Sequence, residues 1–539
     1  MVVEPRPHRR LSRWWAALAG VVAAGAGLAL GELVAAWVAP GSSPVLAAGG
    51  AVVDSVPGWL KNLAVDWFGT HDKAVLLGTM GVVLAAGAAL AGVLELRRPP
   101  WGAVLMGAVG VVGAVVAVGR PGANAAWATP SVVGIGAGVV LLRLVARRLR
   151  VWSGAQVRAG APGADDEWRR AAERDATLDR RGFLLVTGLT AVGAVLAVVA
   201  SRAVGAGARA VQTARAALRL PTPAKRAPAV PAGADFHIDG LASYITPDDS
   251  FYRIDTALRV PLVDPDTWSL RITGLVDNPF TLTWADLLAL PLEEHHLTLA
   301  CVSNFVGGDL IGNALWLGYP LRSLLARAKP HADADMVLSS SADGFSAGTP
   351  LEVMLDPGRE SLLAIGMNGQ PLPYEHGFPA RLVVPGLYGY VSATKWVTEM
   401  KVTKFADDIA YWTLRGWSER GPVKLESRID VPSDGGVVTP GSDGTVVVAG
   451  IAWEQHTGIR GVEVQVDDAP WQPATLAETV GPDTWRQWRY AWDAKGSGTG
   501  QHTLRVRATD ADGHVQTSDV EPPPPNGATG WHTIQVAVK

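Results

Sequence analysis

The chain is nearly devoid of cysteine: its 539 residues contain one, Cys301. A single thiol excludes an intrachain disulfide, a cysteine zinc site, an iron–sulfur cluster and a Cys-x-x-Cys-His haem attachment. It leaves a buried small hydrophobe, a nucleophile, or one soft ligand to a metal whose other ligands come from elsewhere. Histidine is scarce as well. The first 205 residues hold only His8 and His71, both outside the apolar runs, so a facing pair of haem histidines inside a helical bundle is excluded. A net charge of −3 lacks the basic excess of a nucleic-acid-binding surface.

What is present divides the chain in two. Residues 1 to about 205 are rich in Ala, Val, Gly and Leu with charges gathered in short clusters, and the remainder is mixed, with many Trp, Pro and Asp. Several domains are expected at this length. Five runs, 14–38, 74–94, 101–118, 123–145 and 183–200, are apolar enough to cross a bilayer, which takes roughly 20 residues of helix. The run 45–53 is too short to span and reads as a re-entrant or interfacial piece. Arg9, Arg10 and Arg13 precede the first run, Arg97 and Arg98 follow the second, and Arg143, Arg147, Arg148 and Arg150 follow the fourth. The opposite loops carry only Lys61, Lys73 and Arg120. By the positive-inside rule the N-terminus is cytoplasmic and everything beyond Ala200 lies on the extracytoplasmic side of a cell membrane.

The expected organisation is a four-span membrane region (1–150), a cytoplasmic loop (151–182), a fifth transmembrane helix (183–201) and an extended Pro/Ala-rich linker (202–235). The bundle reads as an anchor or a docking unit for a partner. Asp179-Arg180-Arg181-Gly182-Phe183-Leu184 resembles a twin-arginine signal, which implies export of a domain already folded around its cofactor. Ordinary flanking charge gives the same topology by general secretion.

Residues 236–425 mix short strand-like runs with short helical ones and no regular βαβ alternation, which indicates an α+β domain. Residues 426–539 show short alternating runs punctuated by turns such as Asp434-Gly435-Gly436 and Ala511-Asp512-Gly513. That pattern indicates an all-β, immunoglobulin-like sandwich without a disulfide.

Cys301 ends an apolar run, His295-His296-Leu297-Thr298-Leu299-Ala300-Cys301, and polar residues follow it at once. Downstream come Asp343-Gly344, the run Met367-Asn368-Gly369-Gln370-Pro371-Leu372-Pro373, then His376-Gly377-Phe378-Pro379-Ala380-Arg381, and Thr394-Lys395-Trp396. Each polar group sits at a strand end or on a Gly/Pro-rich loop, where side chains and amides converge on an anion.

In these motifs and their order, residues 251–404 resemble the molybdopterin-dependent sulfite oxidase family, and the C-terminal part resembles that family's dimerisation domain. The resemblance implies a molybdenum–molybdopterin cofactor and a two-electron oxygen-atom transfer. It makes Cys301 the metal ligand and catalytic residue, and Tyr252, Arg253, Asp343, His376, Arg381, Thr394 and Lys395 cofactor-binding. One thiolate is enough, because oxo groups and the pterin dithiolene complete the molybdenum coordination. The chain departs from the family after the cysteine: Asn304-Phe305-Val306-Gly307-Gly308 lacks the expected arginine, and Tyr411, Trp412 and Trp417 offer an aromatic wall. Such a pocket suits an uncharged sulfoxide or N-oxide better than an inorganic dianion. With no haem expected, electrons pass to or from a separate partner or the quinone pool, and a homodimer through the C-terminal domain is implied. The competing reading is a non-catalytic envelope protein that keeps the fold and presents an Ig-like interaction surface.

Overall fold

The computed structural model describes residues 8–56, 67, 72–120, 123–159, 166–203 and 206–539. The chain divides into two compact units, Met1–Arg209 with Ala257–Arg259, and Ala210–Thr256 with Val260–Lys539.

The first unit is helical: α1 (His8–Val38), α2 (Pro44–Ser55), α3 (Asp72–Arg97), α4 (Trp101–Val118), α5 (Thr129–Ala159) and α6 (Asp166–Ala203). Four stretches, Arg13–Val38, Val75–Arg97, Trp101–Val118 and Ala125–Ser153, are long and apolar enough to cross a membrane by length and composition. The fifth expected span is not among these four; it lies inside α6, a single helix that carries Arg180 and Arg181 in its interior. Much of the expected loop 151–182 is therefore helix, because its Ala, Glu and Arg residues are good helix formers. Glu32, the acidic residue in the first span, caps the short run as a helix start: its Oε1 accepts from Ser43 Oγ at 2.7 Å and from the Val45 amide at 3.3 Å.

Glycine sets the close packing of this unit. A Cβ on Gly20 of α1 would lie 2.0 Å from the Ala88 carbonyl oxygen of α3, and one on Gly27 would lie 2.5 Å from that of Gly134 in α5. Backbones that approach this closely are the small-residue packing of membrane helices, where apolar burial between helices supplies little drive.

Residues 210–217 of a seventh helix, α7 (Ala206–Ala217), open the second unit. From the sequence this stretch is expected to be an extended tether. Its Ala-rich composition instead makes it helical, and extended chain begins only where Pro221, Pro223, Pro228 and Pro231 remove backbone donors.

The α+β domain is built on two sheets. Strands β1 (Ser269–Gly274), β2 (Phe280–Thr283), β3 (Glu293–Ala300), β4 (Ile311–Pro320), β5 (Met336–Ser341), β6 (Ser346–Pro350), β7 (Leu362–Met367), β8 (Gln370–Pro371), β9 (Arg381–Val383) and β10 (Val397–Thr403) follow in chain order. One sheet runs β2-β1-β10-β5-β6, with β1 and β10 parallel, and the other runs β3-β4-β7-β8 with β9 also paired to β7. Strand β7 is buried along its whole length, consistent with its unbroken apolar sequence.

The C-terminal domain is the expected two-sheet sandwich. It uses β11 (Glu426–Val431), β12 (Gly436–Val438), β13 (Thr445–Trp453), β14 (Ile459–Val466), β15 (Gln472–Pro473), β16 (Thr475–Leu476), β17 (Arg486–Asp493), β18 (Gly500–Asp510) and β19 (His532–Val538). The sheet orders are β11-β13-β17-β16 and β12-β19-β18-β14-β15. Alternation along β18 turns Leu504, Val506 and Ala508 into a core shared with Val448, Trp488 and Trp492. This domain also fastens the strand that leads to the cysteine. Thr298 of β3 donates its amide to Asp483 O at 2.9 Å, and its Oγ1 accepts the Trp485 amide at 2.9 Å.

Candidate active site

Strand β3 delivers Cys301 to the end of its sheet, and a closed loop follows. The Cys301 amide donates to Leu310 O at 2.9 Å, the Asn304 amide to Cys301 O at 3.1 Å, and Asn304 Oδ1 accepts the Leu310 amide at 2.9 Å. The Ser303 amide points at the Cys301 sulfur, 3.5 Å away. Burial pushes the thiol pKa up, against smaller opposing contributions from Ser303 and Lys395. The thiol is therefore protonated until a cationic centre takes it as a ligand.

Around it is a cavity of about 120 Å³ whose lining includes Tyr252, Cys301, Asp343, His376, Arg381 and Lys395. Six of the eight site residues expected from the sequence line this cavity. The other two stand back from it. Thr394 is buried and bonds Ser339 Oγ through its hydroxyl at 2.7 Å, and Arg253 is partly exposed and donates from Nε to Asp255 Oδ2 at 2.8 Å. Of the expected aromatic wall, Trp412 and Trp417 line the cavity, with Phe345 and Tyr390 beside them. Tyr411 packs against Phe345 and Trp412 outside it.

Three turns aim the polar groups inward. His376 ends a 3-10 turn (Tyr374–His376) closed by Gly377 at φ 111°. Its Nε2 donates to Asp248 O at 3.1 Å, which leaves Nδ1 as an acceptor. Burial, with Arg381 nearby, holds the imidazole pKa down at about 4, so the ring is neutral at physiological pH. Asp343 sits in the turn between β5 and β6, accepting the Phe345 amide at 3.1 Å and the Thr256 hydroxyl at 3.2 Å. Lys395 precedes Trp396, whose φ of 50° turns the chain into β10.

The two cations differ in kind. Lys395 Nζ donates to Asp255 Oδ2 at 2.8 Å and to Glu375 O at 3.0 Å, and burial lowers its pKa to about 8. Arg381, 5% exposed, has no carboxylate partner among the described residues. Its bonds are long ones to carbonyls: Nε to Leu382 O at 3.3 Å, one terminal nitrogen to His376 O at 3.2 Å, the other to Ala393 O at 3.4 Å. Burial lowers its pKa to about 10. A buried guanidinium without a counter-charge is a receptor for an anion.

Asp255 was not singled out in the sequence. It is 2% exposed at its side chain and holds both Arg253 and Lys395, and its only sequence signal is its place in Tyr252-Arg253-Ile254-Asp255-Thr256. With Asp343 it sets two carboxylates against the two lining cations, so the cavity wall is close to neutral overall.

Residues 257–412 match the oxidoreductase molybdopterin binding domain family, and residues 426–506 match a bacterial Ig domain family. The chain is 30% identical over 345 residues to the mitochondrial sulfite oxidase of Rattus norvegicus, a match covering 55% of this chain and 62% of that protein. It is 29% identical over 289 residues to the sulfite oxidase of Arabidopsis thaliana, covering 45% of this chain and 72% of that one. With the uncharacterized oxidoreductase YuiH of Bacillus subtilis (strain 168) identity is 34% over 158 residues, 29% of this chain and 76% of YuiH.

Proposed function

The chain belongs to the sulfite oxidase family of molybdopterin-dependent oxidoreductases, and on that premise we propose that it is a membrane-anchored enzyme whose molybdenum site performs two-electron oxygen-atom transfer on an uncharged substrate. The observation that carries the cofactor assignment is Arg381, a buried cation with no carboxylate partner among the described residues, set in the same wall as a buried thiol. The residues fit the cofactor. Cys301 would supply the protein thiolate, Arg381 and Lys395 would meet the pterin phosphate, and His376, Tyr252 and Asp343 would hydrogen-bond its polar edge.

When bound, the molybdenum centre supplies the two-electron redox chemistry and the transferable oxygen. The protein's part is positional. Cys301, its pKa raised by burial, would give up its proton to serve as the metal's thiolate ligand. His376 stays neutral and offers Nδ1 as an acceptor. Arg381 keeps its charge at any physiological pH, even with its pKa held at about 10.

Two observations support an uncharged sulfoxide or N-oxide over a dianion. Val306 and its neighbours supply no cation after the cysteine, and the cavity lining is rich in aromatics, with Phe345, Tyr390, Trp412 and Trp417. Asp255 and Asp343 offset the remaining positive charge. Steady-state assays of the purified holoprotein test this: sulfoxide or N-oxide turnover is expected, and fast sulfite oxidation without either would overturn the substrate assignment. Electrons would come from a separate carrier or the quinone pool, without a haem of the chain's own. The distribution of arginines, together with the four apolar helices and a fifth crossing by residues 183–200 of α6, supports a catalytic domain on the extracytoplasmic side of the cell membrane. The Ig-like domain supports dimerisation.

A further inference from the structure

We propose that Arg215, on helix α7, is a positioning residue for the cofactor site, acting through the loop 371–376. The proposal rests on the reading of that site as a molybdopterin site. Arg215 donates from Nε to Leu372 O at 2.8 Å and from a terminal nitrogen to Pro371 O at 2.9 Å. Its guanidinium carbon stands 5.4 Å from the centroid of the Tyr374 ring. The Tyr374 hydroxyl returns a bond to Val211 O, one helical turn back, at 3.2 Å. Val211 is buried in a cluster with Leu372 and Phe378. One turn of α7 thus grips the start of the loop by two carbonyls, a ring and a hydroxyl.

The rest of the same loop is where the anion-facing groups are set. Tyr374 O accepts from Trp396 Nε1 at 2.9 Å, Glu375 O from Lys395 Nζ at 3.0 Å, and His376 O from Arg381 at 3.2 Å. His376 itself lines the cavity. The row of carbonyls is therefore a template: its far end aligns Lys395, Arg381 and His376, and its near end is held by Arg215. Carbonyls without donors turn to water, so releasing the near end frees the template. In the chain, α7 follows α6. The supposed tether is then a part of the catalytic domain.

The test uses the full-length protein with Arg215→Ala, Arg215→Lys and, as a control on the exposed flank, Arg219→Ala. Three quantities are read: molybdenum per chain after expression with cofactor supply, turnover per bound molybdenum, and amide exchange at His376, Gly377 and Phe378 in metal-free protein. For Arg215→Ala we expect roughly tenfold faster exchange at those amides, which are bonded within the turn. Molybdenum content should fall several-fold while turnover per bound molybdenum holds and the Ig-like domain melts as in wild type. Arg215→Lys should recover part of the content, and Arg219→Ala should match wild type. Wild-type exchange and content in Arg215→Ala would overturn the proposal, and so would losses spread evenly over both domains. If wild type itself takes up no molybdenum, the cofactor reading fails, and the exchange rates alone decide whether Arg215 holds the loop.

Discussion

At the scale of the residue, the site is defined by what each charged group is paired with. Lys395 has Asp255, so its charge is compensated before any ligand arrives. Among the described residues, Arg381 meets carbonyls and the face of Trp316, 5.1 Å away, and no carboxylate. Replacing Arg381 by Met keeps bulk and removes the charge. We expect molybdenum and pterin content to fall at least tenfold with little loss of folding stability, because an unpaired buried cation costs desolvation in the free protein. Metal analysis and a thermal melt on the same preparation check both halves.

A second residue fixes a pH dependence. Glu426 at the start of β11 is 3% exposed, and burial raises its carboxyl pKa to about 8 even with Lys424 nearby. The folded state holds this proton more tightly than the unfolded chain, whose glutamates titrate in the ordinary range. The stabilising contribution is whole below that range and is lost as pH rises toward 8. Glu426→Gln should leave the unfolding midpoint unchanged near pH 5 and raise it by several degrees near pH 9, roughly what a few kcal/mol produces. Parallel pH profiles for the two proteins would contradict this.

At the scale of the element, the loop after Cys301 is held from the Ig-like domain as well as from its own backbone. Arg428 of β11 donates to Gly308 O at 2.8 Å. His532 at the head of β19 accepts the Ile429 amide at 3.0 Å through Nδ1 and packs its ring against Gly307. Gly307 has φ +78°, and a Cβ there would fall 2.3 Å from that ring. Both the conformation and the space require glycine. Gly307→Ala should cost about 1–3 kcal/mol of local strain and push the loop off its seat. In metal-free protein it should speed alkylation of the buried Cys301 thiol by roughly the tenfold that 1.4 kcal/mol of easier opening allows. An unchanged alkylation rate would show that the loop does not depend on this contact.

Elements also show where reading the sequence succeeds. The long apolar runs of the spans and the alternation of β18 extend over many residues, so the classes of the helical region and of the C-terminal domain were legible. Cys301, His376, Arg381 and Lys395 were legible because each lies in a motif at a strand end. Thr394 sits in the same motif as Lys395, but its side chain turns to Ser339 in the core, and nothing in residue type distinguishes the two directions. The helix α7 was read as tether because prolines dominate the stretch after it. Its role depends on Arg215 meeting carbonyls 156 and 157 residues away, a pairing that no local pattern encodes.

At the scale of the whole molecule, a bundle of apolar helices precedes a two-domain oxidoreductase in one chain. The native chain has one cysteine, so Cys301→Ala gives a cysteine-free background for topology mapping. In intact cells, a membrane-impermeant maleimide should label Asp468→Cys, in a fully exposed turn of the Ig-like domain, and should spare Arg98→Cys until the cells are permeabilised. The reverse pattern would place the catalytic domain in the cytoplasm.

The most direct test of the central claim is the molybdenum and pterin content of the purified full-length chain, wild type beside Cys301→Ala. Equimolar molybdenum and pterin are expected in wild type, and their loss in a Cys301→Ala protein that still folds and melts normally. A folded wild-type chain that takes up neither, when expressed with the cofactor in supply, would contradict it.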